Sequence, residues 1–282
     1  MCIRDSRDAL LSGASKPEDR GKVFGFHRSM DTIGAVIGPT LALLWLNFGD
    51  GDLKKLFILA VFPGILSVLF TLFLPKEPIP TKEKKAIRPF KGIFGFWKES
   101  SAAYRKLLLG AILFAVLNSS DMLLLLKASE SGASLETLIG LYICYNVVYV
   151  IAGFPLGGLA DKIGFKPVYI FSILIFGLSY LAIGQIGDGY ALWGIFALYG
   201  CFSAANDGIA KAWLTHLVPK EKKATGMGLF SFLETLAKGI ASPLTGLLWL
   251  GFSGKWAFSG LGIAAIVLAI LFSFLLPNKA MK

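Results

Sequence analysis

The 282-residue sequence predicts an all-α polytopic membrane protein, a bundle of about eight transmembrane helices. Three observations carry this reading. Hydrophobic residues make up 55% of the chain and charged ones 16%, and the mean hydropathy is +0.67, which is too apolar for an ordinary globular domain. Eight apolar runs approach the roughly 20 residues that a bilayer-spanning helix needs: about 24–46, 56–74, 107–126, 135–156, 167–185, 191–213, 224–250 and 256–276. They lack the period-two alternation of barrel strands, so helices follow.

The third observation is where the charge sits. The net charge is +10, but the basic residues collect in alternate loops: six up to Arg28, nine from Lys76 to Lys106, Lys162 and Lys166, three from Lys220 to Lys223, and two in the tail. The intervening loops hold Lys54, Lys55, Lys127 and Lys255. By the positive-inside rule the first set is cytoplasmic, with both termini inside, in an inner or plasma membrane. The bilayer is therefore the expected partner and nucleic acid is not. Cys2, Cys144 and Cys201 have no metal-ligand spacing, and His27 and His216 stand alone, so no metal or cofactor is expected.

Residues 1–6 fit poorly with the organised pattern that begins at Arg7-Asp8-Ala9. The first run contains Gly34, Gly38 and Pro39; small residues at that spacing admit a neighbouring helix, and Pro39 kinks its own. After the second run a basic linker spans 76–106, where Phe90, Ile93, Phe94 and Trp97 recur at helical spacing opposite Lys91, Lys98 and Arg105. That pattern suits an amphipathic helix on anionic lipid. Three regions result: 1–75, 76–106 and 107–282.

An internal repeat orders the rest. The stretch from Arg7-Asp8-Ala9 through Gly21, Gly25, Asp31 and Pro39 to Trp45 echoes Asn206-Asp207-Gly208, Gly226, Gly228, Glu234, Pro243 and Trp249, about 200 residues later. Two six-helix halves repeat at such a distance. By this count 107–282 is a complete C-terminal half, and 1–75 holds the last two helices of an N-terminal half. Four more helices are expected before Met1, and this polypeptide alone is expected not to transport.

Between the fourth and fifth runs lies Gly157-Gly158-Leu159-Ala160-Asp161-Lys162-Ile163-Gly164-Phe165-Lys166. With its Gly157, Leu159, Asp161, Lys162, Gly164 and Lys166, it resembles the loop that major facilitator superfamily transporters place between the second and third helices of each half. Gly34-x-x-x-Gly38-Pro39 is similar to that family's fifth-helix motif, although Thr40-Leu41-Ala42 departs from the drug-antiporter form. The resemblance implies secondary active transport of a small solute by alternating access, without enzymatic activity. On physical grounds Gly157 lets two helices touch, and Asp161 can accept hydrogen bonds from a helix N-terminus as a conformational gate. The helix starting near Lys223 is the expected recipient.

Charged groups inside apolar runs are costly and mark pathways or pairs. Asp121, with Asn118 on the same face, is the first candidate for ligand or proton binding. Tyr142, Tyr145, Asn146 and Tyr149 share one helical face and either line a cavity or pack. Asp31 and Glu234 occupy matching places in the repeat, and Lys238 lies one turn beyond Glu234. That pair either ties helices together or handles solute or protons. Asp207 and Lys211 read as a structural pair near a helix end. Proton coupling suits such buried carboxylates. A membrane receptor or scaffold that kept the fold without transport would instead show a sealed apolar interior.

Overall fold

Apolar runs in a membrane must satisfy their backbone internally, and helices duly make up nearly all of the described chain. The structure is a computed structural model that describes residues 15–49, 52–72, 95–185, 189–219 and 222–276. A 3-10 turn at Pro17–Asp19 leads into α1 (Arg20–Phe48), followed by α2 (Leu53–Leu72). Then come α3 (Ala102–Leu117), α4 (Asp121–Glu130), α5 (Leu135–Ile163), α6 (Phe165–Gln185), α7 (Ala191–His216), α8 (Lys223–Phe252) and α9 (Gly254–Leu275). Among the described residues, five stretches are long and apolar enough to cross a membrane: Arg20–Phe48, Ala102–Glu130, Leu135–Ile163, Phe165–Gln185 and Gly254–Leu275.

The run expected as one span from 107 to 126 is not continuous. Asn118 ends α3, and extended Ser120 caps α4 by accepting a hydrogen bond from the Met122 amide at 3.3 Å. Short polar side chains compete with the helix for its own backbone groups, and here three stand in a row. The same chemistry starts α3 at Ser101 and α5 at Ser134, whose side chains accept from Tyr104 and Thr137 amides.

Packing runs along three main seams. α1 lies on α5, α6 on α9, and α7 sits between α5 and α6, while α3 backs onto α8. Small residues set the first two. A Cβ added at Gly25 would land on the Gly153 carbonyl, and one at Gly157 on the Gly21 carbonyl. The two helices therefore meet backbone to backbone, where the absence of side chains permits the closest approach. On the second seam a Cβ at Gly262 would stand 2.7 Å from the Gly177 carbonyl. Gly157 thus lies where α5 touches Gly21 of α1, and Gly153, one turn earlier on α5, lies against Gly25 and Ser29.

Gly34 and Gly38 behave otherwise. Nothing among the described residues comes within 4 Å of a Cβ built on either. Pro39 and Pro243 lie inside α1 and α8, where each removes one backbone donor.

The linker is described only from residue 95. Phe90, Ile93 and Phe94 lie outside the described residues, while 95–99 are helical. Phe96 is buried edge-on against Tyr104 at 5.3 Å between ring centres, and the Tyr104 hydroxyl donates to the Gly226 carbonyl at 2.7 Å. This end of the linker rests on α3 and α8 rather than facing away from the protein.

Gly25→Ala is expected to destabilise the protein by about 1–3 kcal/mol, the usual cost of overpacking, and to lower its thermal unfolding temperature in detergent. Gly34→Ala, which meets open space, should leave that temperature unchanged or raise it through helix propensity. Equal effects of the two would count against the α1–α5 seam.

Candidate functional site

The break between α3 and α4 turns polar groups inward at a point where four other helices converge. Asp121, the first residue of α4, is held from two sides. The Tyr199 hydroxyl of α7 donates to Oδ1 at 2.8 Å, and the Tyr145 hydroxyl of α5 lies 3.3 Å from Oδ2 and 3.2 Å from Ser203 Oγ. The Tyr145 and Tyr199 rings stack at 5.4 Å. Ser119 Oγ shares a hydrogen with the Tyr180 hydroxyl at 2.8 Å, and the Ser120 amide donates to Ser242 Oγ of α8 at 3.0 Å. Beneath them Phe114, Phe176 and Phe202 interlock with ring centres 4.9–5.7 Å apart. That apolar floor fixes the tyrosine rings while their hydroxyls point to the carboxylate.

One helical turn further along α5, the Tyr149 hydroxyl donates to Asp207 Oδ2 at 3.1 Å. From α8, Lys238 pairs with Glu234 at 2.9 Å, and it shares the lining of one cavity with Asp207 and Asp121. These groups border two cavities. The first, of about 330 Å³, is lined by Asn118, Asp121, Tyr145, Tyr199, Ser203 and Ser242 among others. The second, of about 350 Å³, is lined by Arg28, Asn206, Lys211, Ser231, Glu234 and Thr235 among others. Asp207 and Lys238 border both.

The sequence candidates divide accordingly. Asn118, Asp121, Tyr145, Glu234 and Lys238 line the cavities, and Tyr149 reaches them through Asp207. Tyr142 and Asn146 line neither; the Asn146 side-chain amide donates to the Tyr142 carbonyl at 2.8 Å, the ordinary back-bond of a polar residue in a helix. Asp31 is 44% exposed beside His27 and Arg28 and lines neither cavity. Asp207 and Lys211 are not confined to a helix end but border the second cavity. Tyr199 and Ser203 were missed, although with Asp207, read only as a partner of Lys211, their spacing of four puts them on one face of α7. The Glu234–Lys238 pair lies within one helix. It therefore joins no two helices, and as an i,i+4 pair it stabilises α8 by only about 0.3–0.5 kcal/mol.

The loop motif resolves residue by residue. Asp161 does not cap the helix at Lys223. Its carboxylate accepts from the amides of Gly21 at 2.8 Å and Lys22 at 2.9 Å, at the start of α1. The N-cap residue Asp19 makes no side-chain cap of its own, so Asp161 satisfies two of the donors that every helix start leaves open. Its negative charge also meets the positive end of the α1 dipole. Gly164, at φ +95°, ends α5 in a backbone conformation that suits glycine and turns the chain into α6. Lys166 donates to the Leu276 carbonyl at 2.9 Å, at the end of α9. Leu159 and Lys162 are exposed.

The helix break, the tyrosine-held carboxylate and two cavities bordered by charged groups thus meet within one set of apolar helices. Comparison with known proteins supplies the family. The family model described as Major Facilitator Superfamily matches residues 6–143 and 108–282. An uncharacterized MFS-type transporter of Methanocaldococcus jannaschii is 31% identical over 275 residues, 95% of this chain and 67% of that relative. A probable galactarate/D-glucarate transporter of Escherichia coli K12 is 26% identical over 163 residues, 54% of this chain and 35% of that protein. One of Bacillus subtilis is 32% identical over 139 residues, 45% of this chain and 29% of that protein. The chain thus matches about a third of the length of these sugar-acid transporters. These relatives are transporters, not enzymes. With the family model matched along nearly all of its length, the chain belongs to the major facilitator superfamily, as a multi-pass membrane protein of the transporter kind.

Proposed function

We propose that the protein carries a small hydroxylated solute of the sugar-acid class across a membrane by alternating access, coupled to protons. The observation that carries this reading is the Asp121 carboxylate, held by the hydroxyls of Tyr145 and Tyr199 at the edge of a 330 Å³ cavity. Two tyrosine donors leave further acceptor capacity on the carboxylate, enough for solute hydroxyls. Asn118, Ser203 and Ser242 add short polar groups around it, and stacked tyrosine rings offer a flat face to a carbon skeleton. The similarity to probable galactarate/D-glucarate transporters suggests the solute class. An ionisable carboxylate within a membrane bundle is also a natural proton carrier.

In this reading α2, α7 and α8 cross the membrane along with the other spans. Residues 1–75 and 107–282 move as two bundles around the cavities, joined by 76–106. The Asp161 cap on α1 is the cytoplasmic latch, made in one conformation and broken in the other, with Lys162 in the basic layer beside it. A receptor or scaffold without transport suits the site less well, since its interior would not need charged cavities.

Equilibrium binding of D-glucarate to the purified chain in lipid nanodiscs tests the site. Asp121→Asn and Tyr199→Phe should each weaken binding by roughly tenfold, equivalent to about 1.4 kcal/mol, and binding to the unaltered chain should take up protons from weakly buffered solution. Unchanged affinity in Asp121→Asn would remove that residue from the site. The latch has its own readout. Asp161→Ala should speed hydrogen exchange at the Gly21 and Lys22 amides by roughly fivefold, the factor that about 1 kcal/mol of lost capping represents, and leave the start of α8 unaffected.

A further inference from the structure

Among the described residues, Lys238 occupies a place that no other shares. It borders the 330 Å³ cavity, the 350 Å³ cavity, and the narrow gap between α3, α7 and α8 that Asn118 and Glu234 also line. Its ammonium group is 2.9 Å from Glu234 on the second-cavity side, and its side chain is 42% exposed while that of Glu234 is 20% exposed. A lysine stem has four rotatable carbons, and its point charge is not bound to one geometry. The ammonium can therefore exchange partners without any movement of α8. The partners are at hand: Asp207 borders both cavities with it, and Asp121 lies across the first.

The second cavity adds an independent observation. Asn206 Oδ1 and Ser231 Oγ are buried against it without a hydrogen-bond partner among the described residues. Buried polar atoms of this kind are uncommon in native structures, and each needs an explanation. Solute hydroxyls would give the Asn206 oxygen its donor and the Ser231 hydroxyl a partner. Both cavities thus present hydroxyl-binding groups on either side of one shared cation.

We propose that Lys238 is the residue that selects for an acid group on the solute, and that Glu234 is its internal competitor. The solute carboxylate displaces Glu234 from the ammonium group, is carried past the Asp207–Lys238 border, and gives the lysine back to Glu234 as the solute leaves the second cavity. Glu234 is a positioning residue in this scheme: it holds Lys238 directed along the path, and it sets a cost on binding that only an anionic group can offset. The scheme rests on the proposed sugar-acid reading and assigns the carboxylate specificity of that site to a single side chain.

The experiment compares D-glucarate with D-glucitol, its counterpart without carboxylates, on the full chain in nanodiscs by calorimetry. Lys238→Gln should weaken D-glucarate binding by roughly tenfold or more, as loss of a charged hydrogen-bond partner does, and change D-glucitol binding little. Glu234→Gln should tighten D-glucarate binding by roughly threefold to tenfold, because less of the lysine is withheld. Lys238→Arg, which keeps the charge, should retain the preference for D-glucarate and so separates lost recognition from lost folding. Equal weakening in Lys238→Gln and Glu234→Gln, with recovery in the exchanged Glu234→Lys/Lys238→Glu double variant, would overturn the scheme in favour of a structural pair. An unaltered chain that binds neither compound overturns the functional reading itself, whereas symmetrical losses with intact D-glucarate binding in the unaltered chain overturn only the role of Lys238.

Discussion

The backbone contact between α1 and α5 is the constraint from which the rest of the arrangement follows. Gly21 and Gly25 face Gly153 and Gly157 so closely that no side chain fits at any of the four positions. Two helices far apart in sequence are thereby set in register in this conformation, without the apolar driving force that would hold them in water. Register is what places Asp161 under the first turn of α1 and Arg28 beside the second cavity. It also orients the rest of α5, whose Tyr145 and Tyr149 turn toward α7. Ser29 adds a directional tie across the same seam, its hydroxyl donating to the Val150 carbonyl at 2.9 Å.

Helix ends form the second layer of organisation. Each leaves backbone groups without intrahelical partners, and here charged side chains from other helices supply them. Asp161 serves the start of α1, the Arg20 guanidinium reaches the Thr215 carbonyl near the end of α7 at 3.4 Å, and Lys166 reaches the end of α9. The signs agree with the helix dipole in all three, acid at a start and base at an end. Such contacts hold helices by their tips and leave the middles to the polar site.

What was legible in the sequence was whatever broke an apolar background. Asp121 stood out among leucines, and the Tyr145–Tyr149 face stood out by its spacing. Tyr199, Ser203 and Asp207 carry the same spacing on α7, but alanines and glycines around them dilute the contrast, and Asp207 was absorbed into a local pair with Lys211. The break at Asn118–Ser120 was hidden because hydropathy averages over three polar residues in a run of twenty. The recipient of the Asp161 cap was misread for a different reason. The repeat makes the helices beginning at Arg20 and Lys223 near-equivalents, and one sequence holds nothing to say which of two equivalents a cap will reach. Fold class, by contrast, was readable from composition, because only helices and closed barrels satisfy a backbone in lipid.

The interruption after α3 has a mechanical side. At 10 residues, α4 is roughly 15 Å long, about half the hydrocarbon thickness, and α3 at 16 residues is too short to cross alone. The two are separate helices joined by three non-helical residues, and those residues reach Tyr180 of α6 and Ser242 of α8 through Ser119 and Ser120. Asp121 at the head of α4 meets Tyr145 and Tyr199, while α3 is seated on α8. One crossing of the chain is thus anchored as two pieces, each with its own neighbours.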